Sequence, residues 1–148
     1  MKLFLLFFSL IFFSSTLFAA EYKGKVVAVI DGDTVNILIN GKHIKTGLAQ
    51  IDAPEISQPY GLMSKSYLSR VIEGQWVRII EEGQGEDEEL LGRIYKGDFD
   101  VNAEMVKMGL AWFDVRSGKD KKLRALEKKA RADKRGLWQD SNPTPPWE

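Results

Sequence analysis

Between Lys25 and Ile51 the chain runs through three short, β-branched segments separated by two tight turns, and this pattern does most to confine the fold. Lys25–Asp31 and Thr34–Ile39 have strand composition, rich in Val and Ile. Asp31-Gly32-Asp33 separates them. Asn40-Gly41 follows, the strongest short-range hairpin signal, and leads into His43–Ile51. The reading is a three-stranded meander. It ends at Asp52-Ala53-Pro54-Glu55, because Pro54 disfavours helical backbone at Ala53 and cannot donate to a ladder.

Downstream, Leu62–Glu73 places Leu62, Tyr67, Leu68, Val71 and Ile72 on one helical face, with Gly74 as a stop. Gln75–Glu82 alternates as a fourth strand. An acidic loop follows, then Leu91–Tyr95 as a fifth strand and Gly97-Asp98 as a turn. Val101–Met108 reads as a short helix closed by Gly109. Leu110–Val115 is extended or irregular. Lys119–Lys134 reads as a helix with Leu123, Leu126 and Ala130 on one face, ended by Gly136. Leu137 and Trp138 fold back onto the core, and the Pro-rich segment from Asn142 to Glu148 reads as a loose tail. Five strands interrupted by a helix, with helices at the end, give an α+β, β-rich fold with about three helices. That element order is the one a small closed barrel has, the OB-fold among them, while periodicity by itself supports only an α+β chain with a β-rich first half.

At 148 residues the chain holds one domain with short appendages. It has no cysteine, which excludes disulfides, thiolate metal sites and a thiol nucleophile. The only histidine is His43, so a three-histidine zinc site is excluded. Residues 1–20 carry one cation, Lys2, then an apolar run from Leu3 to Phe13 and two alanines. That is the order of an export leader, cleaved after Ala19 or Ala20. An uncleaved N-terminal anchor is the alternative, because Leu17 and Phe18 are bulky for the −3 position. The expected division is a leader at 1–20, a domain at 21–140 and a tail at 141–148, in a monomer that is exported, periplasmic or secreted, without stable membrane association after cleavage.

The formal net charge is zero, yet the charges are segregated. Glu81–Glu89 holds six carboxylates, and Arg116–Arg135 holds ten Lys/Arg against three acids. A basic run of this kind is either a solvated helix face or a phosphate-attracting patch.

Catalytic chemistry, if present, falls to carboxylates, arginine and a hard metal ion. Asp33 and Asp52 each stand at a strand end, and two such ends can meet in a small barrel. Two carboxylates, a backbone carbonyl and waters suit Ca²⁺ or Mg²⁺. Glu55 follows Asp52 by three residues and is placed to polarise water. Arg93, after Gly92, has the group that clamps phosphate bidentately. Together these are the parts of a phosphodiester hydrolase.

In chain order, Val29 to Thr34, Ile51 to Glu55, Gln58 to Gly61, Gly92-Arg93, Val101-Asn102, Gly109 to Trp112 and Gly136 to Trp138 resemble the staphylococcal nuclease (thermonuclease) family. The resemblance spans Tyr22 to Trp138. It implies an OB-fold barrel and Ca²⁺-dependent hydrolysis of DNA and RNA. By position it makes Asp33 and Asp52 the metal carboxylates and Ala53 a backbone-carbonyl ligand. Glu55 becomes the general base or water-positioning group, and Arg93 the transition-state arginine.

Three departures stand out. The family arginine five residues before the second aspartate is here Gly47, and Lys45, on the same strand face, is the substitute phosphate contact. The tyrosine that normally precedes Gly-Arg is absent from Glu89-Leu90-Leu91-Gly92-Arg93. The acidic loop would sit near substrate and repel it. These departures imply reduced activity. The alternative is a degenerate barrel that binds single-stranded nucleic acid or a protein partner without cutting.

Overall fold

The computed structural model describes residues 19–148. Apart from Ala19 and Ala20, the expected leader lies outside the described residues. The strands are β1 (Glu21–Val29), β2 (Thr34–Ile39), β3 (Lys42–Leu48), β4 (Ile51–Asp52), β5 (Trp76–Gln84), β6 (Leu90–Lys96), β7 (Phe99–Asp100) and β8 (Trp112–Phe113). The helices are α1 (Gly61–Ile72), α2 (Val101–Lys107) and α3 (Lys121–Ala132), followed by a 3-10 turn at Gly136–Gln139.

The meander forms as expected. β1 and β2 pair antiparallel with a bulge between Val26 and Ala28. β2 and β3 pair from Thr34↔Gly47 to Ile39↔Lys42. Asn40 and Gly41 both take positive φ (49° and 78°), the backbone a two-residue hairpin turn requires. β1 starts at Glu21, four residues before the β-branched run, because Glu21–Lys25 pairs with Trp76–Ile80 of β5. β5 then pairs with β6. A short parallel ladder between β3 and β6, Thr46↔Leu90 to Leu48↔Gly92, closes the five-strand barrel. The expected third strand breaks after Leu48, and its last residue, Ile51, forms β4 with Asp52, which pairs with β8.

Inward-facing residues alternate as the strand period demands. Val26, Val35, Ile37, Ile79 and Ile94 are fully buried. Leu68 and Ile72 of α1 and Leu123 of α3 join them in the same core. Trp112, Ala130, Leu137 and Trp138 form a second cluster, which confirms the fold-back of Leu137 and Trp138. Asp100 caps α2 by accepting the Ala103 N–H at 3.0 Å. Asp120 caps α3 by accepting the Lys122 N–H at 2.7 Å.

The C-terminal segment is not loose. Gln58 Nε2 donates to the Pro145 carbonyl at 3.1 Å, and the Trp147 ring packs edge-on against Trp112 at 5.6 Å. An aromatic anchor offsets the freedom that a Pro-rich composition suggests.

Candidate active site

At one rim of the barrel, the β1–β2 turn, the end of β3, the segment around β4, the acidic loop, the turn after β8 and the C-terminal segment enclose a cleft of about 540 Å³. Local rules place each acid there. The Asp31 carboxylate accepts the Asp33 N–H at 3.0 Å, an Asx turn that swings Asp33 toward the rim. Asp33 accepts the Thr34 hydroxyl at 3.1 Å through Oδ1 and the Ala53 N–H through Oδ2. Asp33 is thereby tied to the segment that carries Asp52 and Glu55. Asp52 lies in β4 opposite Trp112. Glu55 is exposed, but its backbone is fixed. Its N–H donates to Gln58 Oε1 at 2.7 Å, and its carbonyl accepts the Gln58 N–H at 2.8 Å. Gly61 lies directly beneath the Glu55 carbonyl, where a Cβ has no room.

Asp33, Asp52, Glu55 and Lys45 all line this cleft, as the sequence predicts, and Ala53 is bonded directly to Asp33. The acidic loop also lines it, through Glu86, Asp87 and Glu89. With Asp114, seven carboxylates face two cations, Lys45 and Arg116. Burial, then the neighbouring Asp31 carboxylate, holds Asp33 well above the usual carboxylate range, against the pull of the Ala53 N–H. Burial pushes Asp52 up to about 6, although the Arg116 guanidinium pulls the other way. Burial also raises Asp114, but hydrogen bonds from Arg116 and Ser117 outweigh it and leave that carboxyl below its ordinary value.

The expected phosphate clamp is not in the cleft. Arg93 is 5 % exposed, and its guanidinium is fully engaged elsewhere. Nε and Nη2 make a bidentate pair with Asp100 at 2.9 and 2.7 Å, and Nη1 donates to Asp120 at 3.0 Å. Those aspartates are the caps of α2 and α3, so Arg93 binds two helix N-termini to the barrel. Lys45 reaches the cleft but is ion-paired with Glu89 at 3.3 Å. A side chain at position 47 would start 2.8 Å from Leu91 Cδ2 and 3.5 Å from Glu89 Cδ. His43 is exposed at the hairpin, away from the cleft lining.

The cleft also holds groups the sequence did not single out. Arg116 donates through Nη2 to Asp52 at 2.7 Å and through Nε to Asp114 at 2.8 Å. Trp147 lies across its guanidinium at 5.0 Å. Arg116 was legible only as the first residue of the basic run. Nothing in the sequence separates it from the helical lysines that follow.

The donor set is all oxygen, the chemistry of a hard cation. Among the described residues no three acidic or His side chains stand close enough to chelate an ion alone. A cation here would rest on Asp33 and Asp52, completed by backbone oxygen and water.

Comparison with known proteins gives the family. The sequence pattern of the family described as staphylococcal nuclease homologue matches residues 45–140. An uncharacterized endonuclease of Escherichia coli O157:H7 is 37 % identical over 139 residues, covering 93 % of this chain and 91 % of that protein. A micrococcal nuclease of Shigella flexneri is 35 % identical over 140 residues, covering 87 % and 80 %. A staphylococcal-like nuclease of Arabidopsis thaliana is 35 % identical over 107 residues, 72 % of this chain and 33 % of that protein.

Proposed function

Because this chain belongs to the staphylococcal nuclease family, we propose that its cleft hydrolyses DNA and RNA with Ca²⁺ held by Asp33 and Asp52. The protein is a phosphodiester-cleaving hydrolase, and its substrates are nucleic acids. The observation that carries the site assignment is the gathering of Asp33, Asp52 and Glu55 on one cleft, with Asp33 bonded to the Ala53 backbone.

Ca²⁺, when bound, neutralises the phosphate and the two crowded carboxylates that hold it. Glu55 orients a water and takes its proton. The Gln58 amide keeps its backbone in place, so the carboxylate enters the cleft without ordering a loop first. The cleft's acid excess repels polyanions, so turnover is low without divalent cation. We further read the protein as an exported monomer with an N-terminal leader cleaved after Ala19 or Ala20. Cleavage after Ala19 rather than Ala20 keeps the bond from the Glu81 N–H to the Ala20 carbonyl, at 2.8 Å.

The test is digestion of single-stranded DNA and RNA by the purified protein in millimolar Ca²⁺, with chelator as control. Cutting should require Ca²⁺ and should stop in Glu55→Gln. Chelator-resistant cutting, or full activity in Glu55→Gln, would overturn the assignment.

A further inference from the structure

Phosphodiester hydrolysis builds negative charge on the phosphoryl oxygens, and a fixed guanidinium is the side chain best matched to it. Neither sequence position expected to supply one does so here: residue 47 is glycine, and Arg93 is buried in its ion pairs with Asp100 and Asp120. Among the described residues that line the cleft, only Lys45 and Arg116 are cationic. Lys45 is paired with Glu89.

We propose that Arg116 is the catalytic arginine of this enzyme and that Trp147 of the C-terminal segment is its positioning residue. The inference rests on the nuclease reading given above. The Arg116 side chain is 58 % exposed, and among the described residues its Nη1 has no hydrogen-bond partner. It already touches Asp52, so a phosphate drawn to a cation held by Asp33 and Asp52 arrives beside it. Asp114 holds Nε from behind at 2.8 Å and is itself held by the Ser117 hydroxyl at 2.7 Å. Trp147 covers the flat face of the guanidinium, and it is anchored in turn on Trp112. One edge and one face are fixed, which leaves the Nη edge aimed into the cleft. Orientation of this kind distinguishes a preorganised donor from a mobile surface charge.

In the step itself the water oxygen bonds to phosphorus as the bond from phosphorus to the leaving oxygen breaks. Glu55 takes the water proton, and solvent protonates the leaving oxygen. Arg116 keeps its protons and stabilises the charge. The competing role for the same contact is a plug: a guanidinium that neutralises Asp52 and obstructs the cation. The two roles predict opposite signs for its removal.

The experiment compares wild type with Arg116→Ala, Arg116→Lys, Trp147→Ala and the Arg116→Ala/Trp147→Ala pair at saturating Ca²⁺, reading kcat and KM on single-stranded DNA. Arg116→Ala should lower kcat by about 10²-fold, the loss typical of one preorganised donor, with Arg116→Lys recovering only part. Trp147→Ala should lower kcat about tenfold and add nothing to Arg116→Ala, since both remove the same interaction. Two readings do not depend on turnover. The Ca²⁺ concentration giving half of the rise in Tm should fall in Arg116→Ala, because Asp52 loses a competing cation. In a Glu55→Gln background, anisotropy of a labelled oligothymidylate in Ca²⁺ should show weaker binding when Arg116 is also replaced.

Arg116→Ala cutting at the wild-type rate or faster, while Glu55→Gln is dead, would overturn the arginine and leave the nuclease site standing. If the wild type does not cut, the nuclease reading of the cleft fails. Equal oligothymidylate binding with and without Arg116 then overturns this proposal as well. Arg116 is exposed, so an unchanged Tm without Ca²⁺ confirms that its variants fold.

Discussion

Arg93 and Arg116 each bridge two aspartates, and the two clusters could hardly differ more in consequence. Around Arg93 the pair is Asp100 and Asp120, the caps of α2 and α3, and the side chain is 6 % exposed. Around Arg116 the pair is Asp52 and Asp114, and the side chain is 58 % exposed. Burial with every donor arm satisfied makes Arg93 a staple between helices and barrel. Exposure with donor capacity to spare makes Arg116 a group that can meet a ligand. The residue type is the same and both sets of partners are aspartates; what divides the roles is what packs over each arginine, the N-termini of α2 and α3 over Arg93 and the open cleft beside Arg116.

The comparison breaks most readily at Arg93. Arg93→Ala leaves Asp120 without its cation and Asp100 with only the more distant Lys122 at 3.8 Å, and removing one partner of a buried pair costs roughly 3–5 kcal/mol. Thermal unfolding should show a Tm lower by about 10 °C or more. Activity should fall only with the folded fraction. If Arg93→Ala unfolds no earlier than wild type yet loses its cutting, Arg93 touches substrate and the division collapses.

Glu55→Gln is the converse, an exposed acid whose loss should leave Tm unchanged and cut kcat by at least ~10². A stability loss with kcat intact would place Glu55 with the staples.

The third test sharpens the cleft side. An arginine at position 47 would emerge beside Glu89 and be captured by it. Gly47→Arg alone should therefore leave kcat/KM near wild type. Gly47→Arg with Glu89→Gln should raise it by about tenfold, because the new guanidinium then has the phosphate as its partner. A large gain from the single change would show that Glu89 does not hold what enters there.

The smallest effect is in acid. Burial raises Asp120, but the N–H of Lys122 and the Arg93 charge outweigh it and leave its carboxyl below the ordinary value. A depressed folded pKa contributes stability that is complete above the unfolded value near ~3.9 and disappears as pH falls through the folded one. Asp120→Ala should cost about 1 kcal/mol at neutral pH, the usual worth of a helix cap. It should also flatten the loss of stability below about pH 4 relative to wild type. Identical acid limbs in urea titrations would show that Asp120 is not part of the staple.

The barrel was legible because strand alternation and the Asn40-Gly41 turn are local signals. Asp33, Asp52 and Glu55 were legible because each sits within a residue or two of a turn or proline that fixes its direction. Arg93 was misplaced for a geometric reason. Leu91 and Arg93 share a strand face, but a step of two residues moves about 6.6 Å along it. Leu91 still borders the cleft, whereas Arg93 has passed beneath the caps of α2 and α3. Sequence gives the face and not what packs over it. Arg116 and Trp147 were hidden because their contacts, to Asp52 and Trp112, span 64 and 35 positions and depend on the paired β4 and β8.

Gln58 ties two regions of the molecule together. Its Oε1 accepts the Glu55 N–H and its Nε2 donates to the Pro145 carbonyl. The loop that carries Glu55, the proposed water-activating acid, and the C-terminal segment that lays Trp147 over Arg116 hang from one amide. Inheritance should feel that linkage. Lineages in which position 58 drifts would misalign acid and arginine together, and restoring one without the other would recover little. Positions 55, 58, 116 and 147 should then change as a set or hardly at all.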